Sequence, residues 1–216
     1  MSKKSIFSII TLVTIVFLYG CNKKVETSSV KIGNQTWMKE NLNVDHYRNG
    51  DSIPEVKNSD IWVILRTGAW CYYDNDPKNG EKYGKLYNWY AVNDPRGLAP
   101  EGWYIPTEAE FETLKMAVDS NNNNLKAKGQ GIGSGIGTNT SGFSALLAGC
   151  RIAGTVWRGL NGRFETLGSG AYFWSLTKYG VGAVSLGLIS DDSRVLLGGS
   201  SNENGFSVRC LKNLDK

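Results

Sequence analysis

The sequence predicts a single α+β domain, and three observations carry that reading. Its two clearest helix signals both fall before residue 119. From Ser144 onward the chain breaks into short runs of alternating apolar and polar residues separated by Gly, Asn and Ser, the texture of antiparallel strands. No linker and no second core-forming segment divides residues 29–216, and helices segregated from strands in this way pack as an α+β unit.

The first 20 residues read as an address. Lys3 and Lys4 precede an apolar run from Ile6 to Leu18, which ends Leu18-Tyr19-Gly20-Cys21. That run falls short of the roughly 20 apolar residues a membrane-spanning helix needs and fits the apolar region of a signal peptide. The expected organisation is a lipoprotein signal peptide over 1–20, a lipidated Cys21 opening a polar tether over 21–28, and a folded domain over 29–216. Acyl chains on Cys21 would hold the protein to a membrane, since each buried methylene contributes about 0.8 kcal/mol. A bacterial cell envelope follows as the expected location, as an outer-membrane lipoprotein that is surface-exposed or periplasm-facing. The whole chain has 24 Lys+Arg against 20 Asp+Glu, and removing Lys3 and Lys4 with the signal leaves 22 against 20. Balanced charge with no basic run longer than Lys23-Lys24 argues against a nucleic-acid partner.

Within the domain, Val30-Lys31-Ile32 and Gln35-Thr36-Trp37-Met38 flank Gly33-Asn34, the signature of a two-residue hairpin. The polar segment from Asn41 to Ser59 is expected to be irregular, and Ile61 to Leu65 to be a short buried run. Asp74-Asn75-Asp76-Pro77-Lys78-Asn79-Gly80 reads as a turn, whose residue types are those turns use. Calcium at Asp74 and Asp76 is the one cofactor the sequence leaves open, although Pro77 and the missing glutamate depart from an EF-hand loop.

The stretch from Tyr83 to Phe111 is the expected hub of the core. Leu86, Trp89 and Tyr90 at i, i+3 and i+4 predict a short helix over Lys85–Val92, stopped by Asp94-Pro95, Arg96-Gly97 and Pro100. A second helix starts at the capping box Thr107-Glu108-Ala109-Glu110 and carries Phe111, Leu114 and Val118 on one face. From Asp119 to Thr140, four consecutive Asn and alternating Gly lack the ending of a phosphate loop and predict a mobile surface insertion. Expected strands are Phe143–Arg151, Arg163–Thr166, Ala171–Leu176, Ala183–Ile189, Arg194–Leu197 and Phe206–Leu211, the last apolar on the face of Phe206, Val208 and Cys210.

Catalysis finds little support in the residue inventory. The single histidine, His46, lies in a polar segment and reads as a surface residue, which removes histidine-cluster zinc sites and most nucleophile–histidine arrangements. Asp191 and Asp192 with Glu203 remain as carboxylate candidates, but adjacent strand residues point to opposite faces. After Cys21, the thiols are Cys71, Cys150 and Cys210; in an oxidising compartment one bridge and one leftover thiol are expected, with three pairings open.

Six pieces of the chain resemble, in order, the Fibrobacter succinogenes major paralogous domain: Ile32–Val44, Trp70–Val92, Leu98–Phe111, Ser141–Arg151, Phe173–Ser175 and Gly205–Lys212. The resemblance implies a bridge between Cys71 and Cys210, where the family pattern has cysteine, with Cys150 free. Such a bridge would close a loop long enough to stabilise by several kcal/mol. It also implies a fold similar to C-type-lectin-like and formylglycine-generating-enzyme domains: two short helices flanking a twisted antiparallel sheet, with long ligand-bearing loops. Those loops would lie between about Gly154 and Glu203, placing Trp157, Arg158, Asn161, Tyr179, Asp191, Asp192, Asn202 and Asn204 around a ligand. The calcium-lectin signatures Glu-Pro-Asn and Trp-Asn-Asp are absent, as is a local cysteine pair. The expected function is a non-catalytic binding module for a glycan or an envelope or extracellular protein, with a structural or adhesive role as the alternative and a carboxylate enzyme third.

Overall fold

The structure, a computed structural model, describes residues 27–155 and 159–213. The expected lipidation site Cys21 and the expected ligand residues Trp157 and Arg158 lie outside these residues. The architecture is α+β, mostly sheet, with four short helices among the described residues and a curled main sheet.

The hairpin forms as its turn residues dictate. Strands β1 (Ser29–Ile32) and β2 (Gln35–Met38) pair antiparallel, with Ile32 opposite Gln35 and Gly33 at φ +58°, a conformation glycine adopts without a Cβ clash. The chain's far end joins them: β11 (Leu211–Lys212) lies between β2 and β5 (Trp103–Tyr104), giving a four-stranded sheet in the order β1-β2-β11-β5. Trp37, fully buried, stacks on Phe111 with ring centroids 5.7 Å apart.

The main sheet contains β6 (Ala148–Thr155), β7 (Gly159–Leu167), β8 (Gly170–Tyr179), β9 (Gly182–Ile189) and β10 (Leu196–Ser200), ordered β10-β9-β8-β6-β7. Its pairs are antiparallel except for a single parallel contact between β6 and β8 at Gly149 and Ala171. Strands β7 to β10 are longer than expected, and two-residue turns join β7 to β8 and β8 to β9, so the described residues between 154 and 203 are chiefly sheet and not long loops. The long connections instead run between β2 and the first helix and between the last helix and β6.

Of the two expected helices, the second forms as expected and the first shrinks to a single turn. Helix α4 (Glu108–Ala117) begins as its capping box requires: the Glu110 carboxylate accepts from the Thr107 amide at 2.7 Å, and the Glu108 amide is satisfied by Thr177 Oγ1 of β8 at 2.9 Å. Its Phe111 and Leu114 pack with Phe173, Leu186 and Leu188 on one face of the main sheet, each such buried side chain contributing about 1.5–3 kcal/mol. The expected helix over Lys85–Val92 is corrected. Leu86 and Tyr87 form β4 (Leu86–Tyr87), paired with β3 (Trp70–Cys71), and only a single turn, α3 (Trp89–Val92), follows. Asn88 decides this: its side-chain oxygen accepts from both Ala69 and Ala91 amides, capping α3 and tying it to β3.

Two further helices escaped the sequence reading. Helix α1 (Ser59–Ile64) buries Trp62 and Val63 but leaves Ile61 and Ile64 half exposed or more, so the Ile61–Leu65 run is only half buried. Helix α2 (Pro77–Tyr83) is capped by Asp76, whose carboxylate accepts from the Lys78 amide, with Pro77 at its first position.

The glycine- and asparagine-rich segment is a pinned strap rather than a mobile insertion. Asn122 is fully buried and bonds Ser193 O and Arg194 O, and the Ile132 amide bonds Ser190 O. A Cβ on Gly135 would sit 2.1 Å from the Ser190 carbonyl oxygen, so close backbone packing explains that glycine. The expected strand Phe206–Leu211 is corrected: only Leu211 lies in a strand, and the segment before it is buried on both faces, because Ser207 and Arg209 are enclosed as well as Phe206, Val208 and Cys210.

Lys85, Lys126, Arg151 and Arg209 are all buried. Each is held by carbonyl or amide oxygens and not by a carboxylate: Lys85 by Asn43, Lys126 by Ile189 O and Asp192 O, Arg151 by Gly162, Val56 and Lys57 carbonyls, Arg209 by Asn41 and Phe143. Aromatic faces complete several of these sites, with Lys85 Nζ 4.3 Å from the Trp70 ring centroid and the Arg151 guanidinium 4.5 Å from that of Trp62.

The expected bridge between Cys71 and Cys210 is also corrected. Cys71, Cys150 and Cys210 are three free, buried thiols. Cys71 packs with Trp62, Val63 and Tyr73, whereas Cys210 belongs to a different cluster with Met38, Tyr87 and Val208. Burial pushes both thiols up to about 12 and Cys150 up to about 11.

Candidate ligand-binding groove

Alternation along the main sheet splits its faces. Phe173, Leu186 and Leu188 face α4, so Tyr172, Ser185 and Gly187 face the other way. Because the sheet curls, residues of all five strands close around this second face and leave a groove of about 300 Å³. Its floor is aromatic: Tyr172 stacks on Phe206 with centroids 5.1 Å apart, and Trp174 lies behind, 4.5 Å from Phe206. Gly187 and Gly198 keep one wall low, and a Cβ on Gly198 would meet nothing within 4 Å.

Polar groups stand around this floor. Ser185 and Ser200 hydroxyls share a hydrogen bond of 3.0 Å, and the Glu165 carboxylate is bonded by Arg163. Thr166 adopts φ +62°, a strained position for a β-branched residue, and its hydroxyl donates to Glu165 O at 2.8 Å while lying 3.5 Å from Cys150 Sγ. Burial raises the Tyr172 phenol above its ordinary range, so it stays a neutral donor and acceptor near neutral pH.

Of the expected ligand residues that are described, Asn204 alone lines this groove, and its Oδ1 is already engaged by the Ala153 amide at 3.1 Å. Asn161 is exposed on edge strand β7. Tyr179 is exposed at the end of β8, its ring so close over Gly199 that a Cβ there would lie 2.2 Å away. Asn202 is beside the same end, donating to Val181 O. Asp191 and Asp192 occupy the turn at the opposite end of β9, an eight-residue strand whose ends are about 23 Å apart. Arg194 binds the Asp192 carboxylate and holds its pKa down to about 2, while Glu203 is taken by Tyr90 and Arg66. The described members of the expected set are therefore spread over both ends of the sheet and do not form one site.

For metals, Asp74 is exposed at φ +53° and Asp76 serves as a helix cap. No group of three or more His, Cys, Asp or Glu placed to hold a metal ion occurs among the described residues. His46 is exposed and bonded to Asp45 at 2.5 Å, in line with its reading as a surface residue.

The sequence reading missed Tyr172, Phe206, Ser185, Ser200, Thr166 and Glu165 because it looked in loops. The available signal was the small residues Ser185 and Gly187 alternating with Leu186 and Leu188, which leaves one face of the strand without bulky side chains.

Fold and groove together define an α+β domain with an open, aromatic-floored cleft on a curled sheet. The chain belongs to the Fibrobacter succinogenes major domain family, whose model it matches over residues 30–212. Neither the curated proteins nor the solved structures compared with the chain give a match.

Proposed function

We propose that this protein is an envelope-anchored, non-catalytic binding module that holds a glycan segment in the groove of its main sheet. The aromatic floor of Tyr172 and Phe206 flanked by Ser185, Ser200, Thr166 and Asn204 is the observation that carries this reading. Sugar rings present apolar faces that stack on aromatic rings, and hydroxyls that pair with serine, threonine and amide groups. The groove's about 300 Å³ suits one or two rings of a longer chain passing through an open cleft. Support for a non-catalytic role comes from the chemistry present: Cys150 is kept neutral by burial, Glu165 is engaged by Arg163, and Asp192 by Arg194.

In this reading the signal and Cys21 attach the domain to the outer membrane, on the surface or facing the periplasm. The joining of chain start and end in one sheet, β2 beside β11, supports a C-type-lectin-like assignment by analogy of layout alone. Calcium is not needed by the groove; Asp74 and Asp76 would be its only candidate donors.

A glycan array probed with the soluble chain from Lys23 to Lys216, with and without calcium, tests the proposal. Binding that survives chelation and is lost in Tyr172→Ala is expected. A blank array from folded protein would favour the structural or adhesive alternative, and membrane release of Cys21→Ser checks the anchor independently.

A further inference from the structure

A second cavity, of about 500 Å³, lies between the segment after β2, helix α2 and the segment leading to β6. It shares no lining residue with the groove, so its reading stands or falls separately. Part of its wall is Arg209, a side chain only 2 % exposed.

The two buried arginines differ in a way that singles out this site. Arg151 makes four hydrogen bonds from Nε, Nη1 and Nη2 to four separate acceptors, and Trp62 and Phe164 cover its faces. Arg209 also lies against two rings, Phe143 and Phe173, but makes three bonds to only two acceptors, with Nε and Nη2 sharing Asn41 Oδ1 and Nη1 bonded to Phe143 O, and it lines a cavity. A guanidinium carries five N–H donors in a planar fork, so two of Arg209's have no protein acceptor among the described residues. No carboxylate of the described residues forms an ion pair with it; Glu40 is the one acid felt at longer range. The rim holds Lys39 and Lys82 against Glu40 and Glu81, two of each sign. The uncompensated charge of the cavity is therefore that of Arg209.

A buried cation without a counterion costs several kcal/mol in effective desolvation, and its pKa is pulled down to about 9 by burial, which still leaves it charged at neutral pH. A planar oxyanion supplies what is missing: a negative charge and two lone pairs that match a guanidinium fork. We propose that this cavity binds a small ligand through an oxyanion, a carboxylate or a phosphate, seated against the Arg209 guanidinium. A free carboxylic acid, an acidic sugar and a phosphorylated metabolite share that chemistry.

Isothermal titration of the full chain in mild detergent, with sodium glucuronate, inorganic phosphate and neutral glucose in turn at constant ionic strength, tests it. Saturable one-to-one binding of glucuronate, phosphate or both, with none for glucose, is expected, and which anion binds identifies the source of the oxyanion. Arg209→Gln should weaken binding by about 10- to 100-fold, the worth of a charge-assisted hydrogen bond. Should that variant fail to fold, the double variant Lys39→Ser, Lys82→Ser, at two exposed rim positions, should fold and bind severalfold more weakly as long-range attraction is lost. Absence of saturable binding by either anion, equal binding of glucose, or unchanged affinity in a folded Arg209→Gln variant overturns the proposal.

Discussion

Replacing Arg151 by Met is the sharpest probe of how this interior is held together. The guanidinium bonds Gly162 O at 2.8 Å, Val56 O at 2.7 Å, Lys57 O at 3.0 Å and Ser59 Oγ at 3.2 Å, which ties β6 to β7 and to the segment entering α1. Met preserves much of the stem packing but leaves Val56 O without a donor, while Gly162 O keeps the Ser59 hydroxyl and Lys57 O keeps the Asn75 amide. An orphaned buried acceptor costs about 1–3 kcal/mol. Because Met leaves no unpaired charge behind, the net loss should stay at about 1–3 kcal/mol. That is a sizeable part of the 5–15 kcal/mol of a typical domain. Arg66→Met, at a side chain 60 % exposed and paired with Glu203, should cost about 1 kcal/mol or less. Urea unfolding followed by tryptophan fluorescence measures both. An Arg151→Met midpoint matching that of Arg66→Met, with the same dependence on urea, would refute the carbonyl-clamp account.

The remaining predictions concern the strap, the thiols and the acid limb. Gly135→Ala should destabilise by about 1–3 kcal/mol through overpacking, since its Cβ would meet the Ser190 carbonyl, whereas Lys128→Ala on the exposed side should be near neutral in the same urea assay. Cys71, Cys150 and Cys210 have folded pKa values raised by burial. Their unfolded forms ionise first, so stability is full below about pH 8.5 and falls as pH rises toward 12; a thiol reagent at pH 8 should label them only on unfolding. At the other extreme Asp94, held down to about 2 by Arg96, and Asp192 by Arg194, contribute stability above pH 4 that is lost between pH 4 and 2. Their arginine partners are solvent-exposed, so added salt should shrink that acid-limb effect, as read by thermal unfolding across pH.

Local signals in the sequence were legible where the structure depends on neighbours in the chain. Gly33-Asn34 specified its hairpin, Thr107 and Glu110 their helix start, and the runs around Arg163, Ala171 and Ala183 their strands. Features set by distant partners were not. Leu86, Trp89 and Tyr90 have helical spacing, yet Leu86 joins Cys71 in a sheet and Asn88 resets the helix start. Lys85, Lys126 and Arg209 look like surface residues until carbonyls far along the chain enclose them. Family pattern suggested a cysteine bridge that two separate core clusters keep apart. The groove was invisible for a similar reason: Tyr172, Ser185, Ser200 and Phe206 are far apart in the chain and meet only when five strands curl together.

Gly198→Trp offers the most direct test of the groove as the ligand site. A side chain there has open space at its Cβ and stands at the groove wall, so it should fill the cleft while leaving the core untouched. Binding of this variant to the glycan selected on the array should be abolished, with its unfolding midpoint unchanged. A folded Gly198→Trp protein that binds that glycan as tightly as the parent would place the ligand elsewhere and contradict the account.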